Sequence, residues 1–190
     1  MTKKNKEYTQ LLFSFNYPPM SGRISRLCEI IAHEISDKRG VVLTQYPEEP
    51  HYLHMRLPHY FVPKKRPWRE LSSVFWLLTK VRKKDLIIAD NWHPEGYLSI
   101  LFGSRRNAIL LHGAELLPGN GWFRQTIWKK WMCFTLQRAS VVIANSEYTA
   151  SLVRNTVPKA NISVVPLGVD HNRFFPFSNK NKIKNEFGVQ

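Results

Sequence analysis

The chain has 190 residues, 43% of them hydrophobic and 22% charged, with 28 lysines and arginines against 14 acids and a formal net charge of +14. That composition excludes a disordered chain, and the length suits one α/β domain that buries a core without metal or disulfide support. The charge attracts anions such as nucleic acid, acidic lipid or phosphorylated substrates, and does not choose among them.

The elements follow one another clearly. Residues 1–9 read as a basic, polar tail. Gln10–Phe15 is a short apolar run ended by Asn16-Tyr17-Pro18-Pro19, hence a buried strand, and is too short for a signal-peptide core. Ser21 can cap a helix whose apolar positions are Ile24, Leu27, Cys28, Ile31 and Ile35, with Gly40 just beyond its end. Val41–Thr44 is a second strand. Tyr46–Pro67 carries five prolines and three histidines and reads as a loop with one edge strand near His51–Arg56. Trp68, Leu71, Phe75, Leu78 and Arg82 mark one stripe of a helix.

Further strands are expected at Asp85–Ala89, Ala108–Leu111, Ser140–Ala144 and Asn161–Pro166. Helices are expected over Pro94–Phe102, Trp122–Gln137 and Glu147–Asn155, with a polar one over Lys180–Phe187. Continuous Val/Ile/Leu strands alternating with helices predict a mostly parallel, doubly wound α/β sheet in a single Rossmann-like domain, residues 10–177.

The two cysteines, Cys28 and Cys133, lie far apart in helical-looking stretches, which excludes a disulfide scaffold. No Cys/His cluster has zinc spacing, so no metal is expected. No window approaches the roughly 18 apolar residues that cross a bilayer. These features point to a cytoplasmic protein, free or peripheral on the inner face of the membrane.

Ligands of open α/β sheets bind beyond the carboxyl ends of the strands. There the first strand is followed by Gly22 and Arg23 at a helix N-terminus, where backbone N–H groups favour an anion. The third is followed by His93, the fourth by His112, Gly113 and Glu115, and the fifth by Asn145 and Ser146. His112 stands out, because imidazole can bond a phosphate or sugar oxygen near neutral pH and Gly113 admits close backbone approach. Ser146 also has the place of a helix cap, with Asn145 supporting the turn.

These points carry a resemblance. NYPPMSGRISRLCEIIAHEI, LLHGAEL, ASVVIANSEYTASLV and ISVVPLGVDHNRFFP resemble, in order and spacing, four blocks of the amino-terminal domain of glycosyltransferase family 4. Two departures are Arg23, where the family often has a second glycine, and Leu167, where it often has Asn. The resemblance implies a GT-B enzyme of two Rossmann-like halves. The amino-terminal half binds a saccharide or lipid-linked acceptor. The other half binds a nucleotide-diphospho-sugar co-substrate, and transfer retains configuration without metal or other cofactor. It implies Gly22 near the donor diphosphate and His112, the candidate catalytic residue, beside the reacting sugar. KIKNEFGVQ, within residues 178–190, resembles the linker helix toward that donor half. By this expectation the chain is incomplete as an enzyme, or is a non-catalytic partner of a separate donor-binding chain.

The basic charge is concentrated. Between Arg56 and Lys84 there are nine lysines and arginines and one acid, Glu70. Lys64, Lys65, Arg66 and Trp68 open the Trp68–Arg82 helix and Lys83 and Lys84 close it, which makes these six the candidate contacts with an anionic membrane surface. The bland expectation is a helix packed on the sheet with solvated basic ends. A nucleic-acid partner is not expected, because no helix-turn-helix, RNA-recognition or zinc-finger pattern is present and the aromatics fall within core elements.

Overall fold

The computed structural model describes residues 9–37, 39–47, 57–117, 121–122 and 124–168. Seven strands are present: β1 Gln10–Phe13, β2 Gly40–Gln45, β3 His59–Val62, β4 Leu86–Ala89, β5 Arg106–Leu111, β6 Val141–Ala144 and β7 Ile162–Val164. They form one sheet in the order β3-β2-β1-β4-β5-β6-β7, and every pairing is parallel. Five helices connect them: α1 Arg23–Ser36, α2 Trp68–Lys80, α3 Tyr97–Phe102, α4 Lys129–Arg138 and α5 Glu147–Thr156. Strand order reverses between β1 and β4, the point at which open α/β sheets place a ligand crevice, outside the carboxyl ends of the strands.

Both faces of the central strands are covered, which is why their sequences are unbroken apolar runs rather than alternating ones. Leu12 and Val42 face α1 and pack on Cys28, Ala32 and Ile35. Leu11, Phe13, Leu43 and Ile87 face the other side, under Leu77 of α2 and Leu98 of α3. On that same side Ala89, Ile109, Leu111 and Val142 meet Met132 and Leu136 of α4 and Val153 of α5. Cys28 is buried, Cys133 half-buried, and both are free thiols.

Several local expectations are corrected. The edge strand pairs through His59–Val62, where Phe61 and Val62 register with Thr44 and Gln45; residues 51–56 lie outside the described residues, as do the expected helix Lys180–Phe187 and the boundary at 177–178. The first strand ends at Phe13 because Ser14 turns its side chain to Asp90. Gly22, not Ser21, stands at the N-cap of α1, and no side chain caps that helix.

The helices over 94–102 and 122–137 are not uniform. A wider π-type turn, Arg124–Trp128, precedes α4, and a kinked segment, Trp92–Gly96, in which His93 is extended (φ −145°, ψ 132°), precedes α3. The stripe Trp68, Leu71, Phe75 and Leu78 faces solvent, while α2 buries Ser73 and Leu77. Leu77 is the residue that fits between the strands and α3, and the stripe lies on the opposite side of the helix. Among the described residues no helix is long and apolar enough to cross a membrane.

Candidate active site

Two buried acids form the floor of the switch point between β1 and β4. Asp90 ends β4, and its backbone N–H donates to the Phe13 carbonyl at 3.2 Å. Its Oδ2 accepts from Ser14 Oγ at 2.6 Å, from Asn16 Nδ2 at 2.9 Å, and more weakly from the Cys28 thiol at 3.9 Å. Glu95, carried inward by the kinked segment Trp92–Gly96, accepts the Phe15 N–H on Oε1 at 3.2 Å. Asp90 Oδ1 and Glu95 Oε2 have no protein partner. Burial raises the affinity of both acids for a proton, and the Asp90 charge raises Glu95 further, well above the carboxylate range. The bonds from Ser14 and Asn16 and the neighbouring His112 ring hold Asp90 back. Glu95 therefore holds a proton more firmly than Asp90. Burial, together with the adjacent acids, also raises the Cys28 thiol, which is no nucleophile at neutral pH.

His112 follows β5 and reaches over this floor. Its Nε2 lies 3.0 Å from the Asp90 backbone carbonyl. A carbonyl only accepts, so Nε2 carries the hydrogen and Nδ1 is the nitrogen left to a ligand. The neutral ring then accepts there from a hydroxyl, and the imidazolium donates there to an anionic oxygen. The ring is held from below by its own turn. Glu115 Oε1 accepts the His112 N–H, and Gly113 takes φ +106° to make the bend. A Cβ at Gly113 would stand 3.1 Å from Thr149 Oγ1.

The next strand end braces the same unit. Asn145 Nδ2 donates to the His112 carbonyl at 3.3 Å, and its Oδ1 accepts from Thr149 Oγ1 at 2.8 Å. Ser146 caps α5, its Oγ accepting the Thr149 N–H at 3.2 Å. Asn145 and Ser146 thus position His112 and Gly113 rather than pointing away from them.

Beyond β1, Gly22 has φ +130° and nothing within 4 Å of where a Cβ would lie. Glycine is required there by the backbone turn, and no side chain caps the first N–H groups of α1. Arg23 is exposed beside it. Next to this terminus lies a hollow of about 360 Å³, lined by Tyr17, Pro18, Pro19, Met20, Gln45, Tyr46 and Lys64 among others. Gln45 Nε2 ties its floor to the Phe15 carbonyl at 3.0 Å.

His93 belongs to a different group. Its ring stands 4.6 Å from Trp128, 4.8 Å from Trp131 and 5.3 Å from Trp92. Burial among these indoles, with the Arg66 charge nearby, lowers its pKa to about 4, so it is neutral in ordinary buffers. Of the basic candidates, Lys64 lines the hollow. Arg66 pairs with Glu70 at 2.8 Å, Lys65, Lys83 and Lys84 are exposed, and Trp68 is exposed at the start of α2. Sequence reasoning named Gly22, His112 and their neighbours but missed Ser14, Asn16, Asp90 and Glu95. The available signal was two acids within six residues at the end of an apolar strand in a strongly basic chain.

A sheet of this order, with polar groups gathered at its reversal point, is that of a Rossmann-like ligand-binding domain. The family model for Glycosyltransferase Family 4 matches residues 31–173. The chain belongs to that family. By sequence, no curated protein matches it. Solved structures similar in fold include HepE from Anabaena, crystallised with UDP, at 20% identity and TM-score 0.65, covering 96% of this chain and 50% of HepE. A glycosyltransferase from Rickettsia africae has 16% identity and TM-score 0.59, with 97% and 50% covered. WaaG, a glycosyltransferase involved in lipopolysaccharide biosynthesis, has 13% identity and TM-score 0.58, with 95% and 52% covered. The chain spans about half the length of these relatives, and its fold is that of one half of a GT-B glycosyltransferase.

Proposed function

We propose that this chain is the acceptor-binding half of a retaining glycosyltransferase, which moves a sugar from a nucleotide-diphospho-sugar to a saccharide or lipid-linked acceptor in the cytoplasm, in the building of an envelope polysaccharide. The observation that carries this reading is the placement of His112. It is fixed through Nε2 to Asp90, offers Nδ1 over the crevice, and stands on the same strand-end rim as the uncapped N-terminus of α1 and the hollow beside it. The envelope class draws support from the likeness in fold to WaaG, whose own role is in lipopolysaccharide biosynthesis.

In this reading the acceptor lies in the hollow of Tyr17, Pro18, Gln45, Tyr46 and Lys64. Its hydroxyl oxygen bonds to the anomeric carbon as the bond from that carbon to the phosphate oxygen breaks, the electron pair leaving with the phosphate. The hydroxyl proton passes to that phosphate oxygen, on the face where the new bond forms, so configuration is retained. The α1 N-terminus at Gly22, with Arg23 alongside, stabilises charge growing on the diphosphate. His112 Nδ1 bonds the sugar being transferred. The donor's nucleotide is held by the second half of the enzyme, on the same polypeptide or on another.

Binding by the isotopically labelled chain tests this. Oligosaccharides and a short-chain polyprenyl-diphosphate saccharide should shift the amides of residues 17, 20–21, 45–46 and 112–115, while UDP-glucose alone shifts them little. Saturable binding of single-stranded oligonucleotide, with no response to any saccharide, would overturn it.

A further inference from the structure

The outward face of α2 has no partner among the described residues and gathers four large exposed apolar side chains. Trp68, Leu71, Phe75 and Leu78 are 65%, 56%, 70% and 63% exposed. At about 100° per residue they fall within roughly 80° of arc, so they form one continuous strip along the helix. The opposite side is fully engaged: Ser73 and Leu77 are buried, and Val74 and Trp76 pack against the core. The helix therefore does not need this strip for folding, and four large apolar side chains in water are unexplained by the domain itself.

Charge at its ends defines what fits. Lys64, Lys65 and Arg66 precede the helix, and Lys80, Arg82, Lys83 and Lys84 end or follow it. The acid nearest the strip, Glu70, is turned to Arg66 and Arg69, each at 2.8 Å. Asp85 is buried, holding the Arg82 N–H at 2.8 Å. An apolar strip with cations at both ends, and with the neighbouring acids Glu70 and Asp85 each engaged, matches a plane that is apolar below and anionic at its surface.

We infer that α2 lies on an anionic bilayer, with Trp68, Leu71, Phe75 and Leu78 in the headgroup–acyl boundary and the two lysine/arginine clusters on the lipid phosphates. Two other occupants fit less well. A second copy of the chain, packed through α2 about a two-fold axis, sets the cations before one helix against those after the other, and each copy carries +14. The other half of a GT-B enzyme closes over the carboxyl ends of the strands, whereas this strip runs along the flank of the sheet. The orientation has a geometric consequence. Lys64 both begins the basic segment before α2 and lines the acceptor hollow. A domain seated on α2 holds the mouth of that hollow near the headgroup plane, where a lipid-linked chain is presented.

Flotation with phosphatidylcholine vesicles, with and without phosphatidylglycerol, tests the inference independently of any transferase activity. The chain should float with the phosphatidylglycerol vesicles, and be released by salt as exposed charges are screened. Leu71→Ser with Phe75→Ser should weaken partitioning about ten-fold or more, as should Lys83→Glu with Lys84→Glu, at about 1 kcal/mol per cation near the surface. All four positions are exposed, so the thermal midpoint should hold, and a circular-dichroism melt checks this. Equal binding to both vesicle types, or none to either, overturns the inference. So does a concentration-dependent dimer in sedimentation that the Leu71/Phe75 variant dissolves, since a second copy would then be the occupant.

Discussion

At the carboxyl end of β4 two acids share a dry floor, and their titration should be visible in the stability of the fold. Glu95 and Asp90 have raised proton affinity in the folded chain, so the folded state binds more protons than the unfolded one above their ordinary values. The contribution of these two acids to stability is whole below about pH 4 and is lost as pH rises from the ordinary carboxylate range through the raised values. Glu95→Gln keeps an oxygen for the Phe15 N–H and removes one titration, so its melting temperature should decline less with rising pH than the wild type's. Asp90 leaves a residual slope. His93 acts on the other limb. Its pKa is lowered from 6.5 to about 4, so the unfolded chain takes up the proton first and stability is lost as pH falls across that interval. His93→Phe, packed among Trp92, Trp128 and Trp131, should flatten the decline of the melting temperature between pH 6.5 and 4. An unchanged profile would mean the ring is protonated in the fold.

The helices show how an element's pattern and its placement separate. The spacing in α2 identifies a helix and an apolar stripe, yet the stripe is the outer one. Leu77 and Ser73, outside that stripe, are the residues of α2 without exposed surface. Leu77→Ala should therefore cost about 2–5 kcal/mol by leaving a cavity under α3, as read from denaturant unfolding. Phe75→Ser should stay within about 0.5 kcal/mol of wild type, since the ring touches mostly water. The reverse ranking would place the helix the other way round. The caps follow similar logic. Ser146 was readable because a cap bonds three residues along its own chain. The bare N-terminus of α1 was not, because Gly22 takes a backbone angle that displaces Ser21 from the cap.

Across the whole molecule, the rim of the sheet gathers groups from β1, β4, β5 and β6 into one surface around His112. With the donor-binding half present, His112→Ala should lower transfer about 10²-fold, as loss of a contact that holds the reacting sugar in place does, with little change in acceptor affinity measured by titration. Full activity would remove His112 from the chemistry and leave it as a brace for the Asp90 carbonyl. Family membership and half-length coverage agree with a rim that is one wall of a cleft.

The alternation of apolar strands with helices, and the polar residues that follow each strand, were determined by the sequence alone. Hydrophobic period and turn chemistry are local, and a parallel sheet brings successive strand ends to one edge whatever its order. Tertiary structure decided which ends are neighbours. Ser14 and Asp90 stand 76 residues apart and meet because β4, not β2, lies on that side of β1. The same holds for the burial that raises the proton affinity of Glu95, the tautomer of His112 and the outward turn of α2. Each depends on what the rest of the chain packs against the residue, and no spacing within a single segment encodes that.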